Sequence, residues 1–259
     1  MKVVILAGGF GTRISEESKL RPKPMVELGG MPILLHIMKL YSAYGFNEFI
    51  ICAGYKQHVI KEYFADYFLH TSDISYDFSS AGNEITVHKT LAEPWRVTVV
   101  DTGLNTMTGG RIKRIESYVG RERFMLTYGD GVGDVNIKEL LDYHEKCGKT
   151  GTVTVYNFGQ SKGVLEVRGG MVDAFREKSD FDGNLINIGF MVLEPEIFDY
   201  ISGDETSLEK EPISALVEKR ELAAYTHRGF WQCMDTAREK EKLERLWNTG
   251  KAPWKIWRD

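Results

Sequence analysis

A glycine-rich stretch, Gly8-Gly9-Phe10-Gly11-Thr12-Arg13, directly follows the apolar run Val3-Val4-Ile5-Leu6-Ala7. The basic segment Arg21-Pro22-Lys23-Pro24-Met25 lies just downstream. Glycine reaches backbone conformations closed to other residues and brings bare N–H groups against a ligand, which makes a natural cradle for phosphate oxygens. Arg13 adds a planar fork of donors and Lys23 a mobile point charge. This combination suits a nucleoside triphosphate that is attacked at one phosphorus and releases pyrophosphate. Leu6, Ala7, Gly8, Gly9, Phe10, Gly11 and Thr12 would then line the nucleotide site, with Arg13 and Lys23 as its catalytic cations.

Other glycine-loop templates do not fit. A dinucleotide fingerprint counted from Gly9-Phe10-Gly11 needs glycine at position 14, where Ile14 stands. A P-loop built on Gly148-Lys149-Thr150 needs an earlier glycine at 143, where Tyr143 stands. A tight turn after a first strand would account for the glycines but not for Arg13 and Lys23. Gly159-Gln160-Ser161-Lys162-Gly163 matches G-x-S-x-G, yet a strand rather than a helix is expected after it, which rules out a hydrolase elbow. His36 and His144 have no second histidine one helical turn on and read as ordinary helix residues.

Two aspartates are candidate metal ligands. Asp130, in Thr127-Tyr128-Gly129-Asp130-Gly131, ends an apolar strand, and open α/β sheets bind ligands at the carboxyl ends of their strands. A carboxylate facing a triphosphate suits Mg²⁺, which takes few protein oxygens and completes its shell with phosphates and water. By itself Asp130 fits an Asx turn equally well; beside a triphosphate loop, the metal reading is favoured. Asp235, in Trp231-Gln232-Cys233-Met234-Asp235-Thr236, precedes an expected helix and by its own sequence context reads as an N-cap.

The L-A-G-G-x-G-T-R sequence followed by R-P-K-P resembles the signature of the sugar-phosphate nucleotidyltransferases, and the resemblance runs to the end of the chain. It implies that Asp235 joins Asp130 on one Mg²⁺. It also implies that Glu177 and Lys178, matching an E-K-P motif with Ser179 in place of proline, meet sugar hydroxyls and the sugar phosphate. An exposed strand-end pair is the ordinary meaning of a Glu-Lys dipeptide. Asn187-Ile188-Gly189 matches the family's N-x-G sugar strand, and Tyr128 falls on the sugar-phosphate side. Thr106 to Arg111, with Gly110, occupies the place where the family reads the base, and Gly129 adjoins the nucleotide. Glu93-Pro94-Trp95 and Val100-Asp101-Thr102-Gly103 resemble the cytidylyl-transferring branch, with Arg111 able to meet cytosine O2. The implied substrates are CTP and glucose 1-phosphate, and the implied assembly is a homo-oligomer, a hexamer. UTP or dTTP in the same chemistry is the near alternative. A non-catalytic nucleotide-sugar-binding subunit is the remote one, and it would be expected to lack Arg13, Lys23 or Asp130.

Composition agrees with such a role. A net charge of −4 over 259 residues argues against nucleic acid or a membrane surface as partner, since both favour a basic face. The three cysteines, Cys52, Cys147 and Cys233, are odd in number and widely spaced, so free thiols in a cytoplasmic protein are expected. No apolar stretch approaches the length of a membrane span.

The elements that must hold these residues read as a doubly wound, mostly parallel α/β sheet with an added β-rich region, a nucleotidyltransferase fold of the glycosyltransferase-A-like kind by resemblance. Strands are expected at Val3–Leu6, Glu48–Ala53, Phe124–Tyr128, Thr152–Phe158, Val164–Val167, Val172–Glu177 and Ile186–Leu193. Helices are expected at 33–44, Val59–Phe68, Ile137–Cys147, Pro195–Ile201, Pro212–Arg220 and Thr236–Trp247. Residues 74–114 read as short strands and a long loop beside the crevice. One domain covers 1–259, with a nucleotide part to about 135, a sugar part to about 235, and a C-terminal helix and tail. The tail carries Trp254 and Trp257 just after Trp247 and is expected to dock, on its own domain or on a neighbouring subunit.

Overall fold

A computed structural model describes residues 1–12, 15–79, 84–157, 164–168, 171–176 and 185–258. Its centre is an eight-stranded sheet. Lys2–Ala7 lies between Glu48–Ala53 and Phe124–Tyr128, and Arg96–Asp101 extends the sheet beyond Glu48–Ala53; all four run parallel. Met191–Leu193 pairs antiparallel with Phe124–Tyr128 and with Gly151–Asn157, and Leu222–His227 closes the far edge parallel to Gly151–Asn157. The sheet is therefore mixed but mostly parallel, as its apolar strands require, because parallel strands are covered on both faces. Alternate side chains serve the two faces. Val3 and Ile5 pack with Ile33, Ile37 and Tyr41 of the helix Ile33–Ala43, while Val4 and Leu6 pack with Ile112, Phe198 and Leu216.

Adjacent parallel strands deliver the two halves of the site. Leu6 is in register with Tyr128, so the Gly8–Gly11 loop and Gly129-Asp130 leave the sheet side by side at its carboxyl edge. Asp235 arrives by a different route. Trp231–Cys233 pairs antiparallel with Gly131–Gly133, and the Met234 N–H donates to the Asp130 carbonyl at 2.8 Å. That small ladder joins residues far apart in the chain. No helix of the described residues is long and apolar enough to cross a membrane.

Several elements differ from the sequence expectation. The expected long loop ends before residue 108: Thr108–Arg114 is a helix, and Gly109 and Gly110 let it press against the backbone of Asp204 and Thr206. The expected strand Ile186–Leu193 is two strands, Leu185–Asn187 and Met191–Leu193, broken where Gly189 and Phe190 take φ of +77° and +50°. Leu222–His227 was not anticipated, because half-buried edge strands carry a weak apolar pattern. Val164–Arg168 is a strand, which supports rejecting the hydrolase elbow, although 159–163 lie outside the described residues.

The tail docks on its own chain rather than requiring a neighbour. Trp254 is fully buried, with its ring stacked on Phe230 at 5.5 Å. Its indole N–H donates to His36 Nδ1 at 3.2 Å, and His36 Nε2 donates to the Leu28 carbonyl at 2.8 Å. This arrangement needs a neutral imidazole, since a proton on Nδ1 would face the indole N–H. Burial drives the His36 pKa down to about 4, with Lys39 and Lys255 acting in the same direction and the backbone hydrogen bonds opposing.

The unfolded chain protonates His36 near 6.5, well before the folded protein does. Its contribution to stability should therefore be complete above pH 6.5 and disappear as pH falls toward about 4. The loss should reach about 3 kcal/mol. Urea unfolding between pH 7.5 and 4 should show this slope, and His36→Gln should flatten it; equal slopes for both proteins would remove His36 from the account.

Candidate active site

The glycine loop, the strand end at Tyr128 and the helix Thr108–Arg114 enclose a cleft of about 450 Å³. Leu6 through Thr12, Lys23, Thr106, Arg111, Tyr128, Gly129, Asp130 and Asp235 all line it, so the structure brings most of the expected site together. Pro24 of the basic segment and Met107 and Thr108 of the expected base-reading segment line it as well, as do Leu104 and Asn105, which the sequence offered no chemical reason to single out. Arg13, Glu177 and Lys178 lie outside the described residues.

The glycines of the loop do different work. Gly11 has φ +63°, which a side chain would strain. Gly8 is held by close approach: a Cβ there would fall 2.1 Å from Arg111 Nη1.

Lys23 is the electrostatic centre. It belongs to a short 3₁₀ turn, Lys23–Met25, opened by Pro22, and its side chain is only 10% exposed. Its ammonium donates to Asp130 Oδ2 at 2.6 Å and to Asp235 Oδ1. Burial alone would lower the lysine pKa, but the two carboxylates outweigh it and hold the pKa above the ordinary value. Lys23 therefore carries its charge at neutral pH.

Asp235 is not the helix cap that its sequence context suggests. The helix Ala237–Asn248 is capped by Thr236, whose hydroxyl accepts from the Glu239 N–H while Glu239 accepts from the Thr236 N–H, a reciprocal capping box. The cap leaves the Asp235 carboxylate to face Asp130 across Lys23.

Arg111, expected to meet the base, is already engaged. Although it borders the cleft, its guanidinium donates to the carbonyls of Gly103 at 2.7 Å, Gly8 at 3.1 Å and Leu104 at 3.2 Å, and to Thr102 Oγ1 at 2.9 Å. It bolts the glycine loop to the 102–104 segment. Gly110 is absent from the lining and packs on Asp204 instead. Asn187 and Gly189 are also absent from the lining: Asn187 Oδ1 accepts from the Gly189 N–H at 3.0 Å, and Gly189 makes room for the Tyr128 ring.

Glu209 is a residue that sequence reasoning missed. Desolvation would raise its carboxyl pKa, yet donors from Thr108, Tyr128 and Ser207 keep it below the usual range. An acidic stretch before a helix carries no signal of such a role.

A glycine loop, a lysine and two aspartates thus meet beside the carboxyl edge of a mostly parallel sheet. The family described as Nucleotidyl transferase matches residues 2–259, and the chain belongs to it. It is 55% identical over 258 residues to the protein named glucose-1-phosphate cytidylyltransferase of Salmonella typhimurium, covering 99% of this chain and 100% of that one. Mannose-1-phosphate guanyltransferase of Saccharomyces cerevisiae is 30% identical, covering 94% of this chain and 63% of its own length. Among solved structures, a UDP-glucose pyrophosphorylase complexed with UDP-glucose superposes with a TM-score of 0.69 at 17% identity, covering 96% of this chain and 98% of the other.

Neighbouring substitutions should separate the two duties at the start of the last helix. Thr236→Ala should cost about 1 kcal/mol of stability while nucleotidyl transfer per folded molecule is retained. Asp235→Ala should abolish most transfer with the cap intact. Thermal melts and initial rates on both variants check this; the opposite pattern would return Asp235 to a capping role.

Proposed function

We propose that the protein joins CTP to α-D-glucose 1-phosphate, giving CDP-glucose and pyrophosphate. The observation that carries this reading is the 55% identity to a glucose-1-phosphate cytidylyltransferase over essentially the whole of both chains. UTP and dTTP are not favoured by any comparable relationship.

In this reading the phosphate oxygen of the sugar attacks the α-phosphorus of CTP, and the bond to the bridging oxygen of pyrophosphate breaks in line. No covalent protein nucleophile is needed, so catalysis is positioning plus charge stabilisation. The loop Gly8–Thr12 holds the triphosphate against its backbone N–H groups, and Arg13 adds charge to it. Tyr128, Asn187 and Gly189 form the sugar side, with Glu177 and Lys178 completing it. Arg111 acts on the base indirectly, by fixing the carbonyls and N–H groups of the loops it ties.

Nucleotidyl transferases generally work with a divalent metal, which we assign here as Mg²⁺. The residues fit such an ion, since Asp130 and Asp235 already share one cation, the Lys23 ammonium. Two carboxylates with phosphate and water oxygens make an ordinary magnesium shell. When bound, Mg²⁺ supplies neutralisation of the charge that builds on the transferring phosphate. Lys23 neutralises the aspartates in the free protein, and the nucleotide offers its ammonium a new anionic partner. The lysine then stabilises the transferring phosphate.

The assembly is a homo-oligomer of this chain in the same reading. The hairpin Ser72–Asp77 with Glu84–Thr90 stands apart from the main sheet and leaves Tyr76, Phe78 and Ile85 exposed, an apolar surface that a second copy would cover. The setting is the cytoplasm, in keeping with the free thiols Cys52, Cys147 and Cys233.

Pyrophosphate release with glucose 1-phosphate and, in turn, CTP, UTP, dTTP, GTP and ATP tests the assignment. CTP should be strongly preferred, and Lys23→Ala should lower kcat by roughly 10²–10³ with the fold intact. Faster release from another nucleotide would overturn the base assignment, and near-normal turnover in Lys23→Ala would overturn the role of the lysine.

A further inference from the structure

Glu209 lies outside the lining of the cleft, yet three hydroxyls converge on its carboxylate. Tyr128 donates to Oε1 at 2.6 Å, while Thr108 and Ser207 donate to Oε2 at 2.6 Å and 2.8 Å. Tyr128 and Thr108 both line the cleft, from a strand and a helix far apart in the chain. Tyr128 ends the strand that leads to Asp130. Thr108 opens the helix that carries Arg111, and its hydroxyl oxygen accepts from the Leu208 N–H at 2.9 Å. A chain of hydrogen bonds therefore runs from Tyr128 through Glu209 to Thr108.

The backbone strengthens the nucleotide end of this chain. The Met107 N–H donates to the Asp204 carbonyl at 2.8 Å and the Gly110 N–H to the Thr206 carbonyl at 3.1 Å. The segment 204–209 thus holds the start of the helix by its main chain and reaches across to Tyr128 with one carboxylate. An anionic acceptor makes each of these hydroxyl bonds stronger than a neutral one would.

We infer that Glu209 is a positioning residue that keeps the sugar side and the nucleotide side of the cleft in register, acting through Tyr128 and Thr108. The inference rests on the proposed division of the cleft between a sugar phosphate and a nucleotide. Reaction between two bound substrates depends on their separation and alignment, and a misplacement of about 1 Å can cost about 100-fold. A glutamate that only stabilised the fold would alter the amount of folded enzyme, not the turnover of each folded molecule.

Initial rates of pyrophosphate release, with CTP and glucose 1-phosphate both varied, test this in the full-length protein. Glu209→Ala should lower kcat about tenfold or more, with each KM changed by no more than about threefold. Glu209→Gln keeps one oxygen acceptor and should fall between wild type and Glu209→Ala. Adding Tyr128→Phe to Glu209→Ala should cost much less than the product of the two single losses, because both remove the same link. If Glu209→Ala does not fold, Glu209→Gln with and without Tyr128→Phe gives the same comparison. A kcat within twofold of wild type in the Glu209 variants, or losses that multiply, would overturn the inference. Wild-type protein releasing no pyrophosphate with these substrates would instead overturn the functional assignment beneath it.

Discussion

One ammonium between two carboxylates organises this protein. Lys23, Asp130 and Asp235 come from a proline-flanked turn, a parallel strand and a small antiparallel ladder, and they meet in a cleft where Lys23 is largely shielded from water. Charges removed from water are costly unless they are paired and hydrogen-bonded. Losing either aspartate leaves the buried cation short of a partner, and losing the lysine leaves two carboxylates facing each other. The capping box at Thr236 and the Met234–Asp130 hydrogen bond serve this meeting, because they fix Asp235 without using its carboxylate.

Around that centre the cleft is held by charged groups whose hydrogen bonds go to the protein itself. Arg111 binds the carbonyls of Gly8, Gly103 and Leu104, so a charged side chain replaces the regular hydrogen bonding that loops lack. Glu209 does the equivalent for the hydroxyl groups of Thr108 and Tyr128. Such ties explain how two loops and a short helix can present a fixed surface. They hold the glycine loop and the helix N-terminus in place before any substrate arrives, which is what positioning catalysis requires.

Much of this was legible in the sequence. The buried parallel strands announced themselves as unbroken apolar runs, and Lys2–Ala7, Glu48–Ala53 and Phe124–Tyr128 stand where those runs are. Lys23 and Asp130 were visible because their residue types and their places, downstream of a glycine loop and after a strand, had a chemical reason. Asp235 was legible only through resemblance: a carboxylate before a helix looks like a cap, and only the structure shows Thr236 in that position. Arg111 was found, but its engagement with carbonyls was not, since a hydrogen-bond acceptor on the main chain leaves no mark in the sequence. Glu209 left none either, because its hydroxyl partners Tyr128 and Thr108 lie far from it in the chain and meet it only through the fold. The helix Thr108–Arg114 was misread because its paired glycines signal a turn, whereas here they serve close packing.

In the proposed reaction, Lys23 and a divalent metal compete for one place between Asp130 and Asp235. Binding of Mn²⁺ to the nucleotide-free protein, followed by electron paramagnetic resonance, tests this most directly. Lys23→Met should bind Mn²⁺ about tenfold or more tightly than wild type, because a like charge has been removed from the site. Asp130→Asn or Asp235→Asn placed on Lys23→Met should abolish the gain. Equal Mn²⁺ affinity for wild type and Lys23→Met, or a gain that survives loss of either carboxylate, would contradict the shared site.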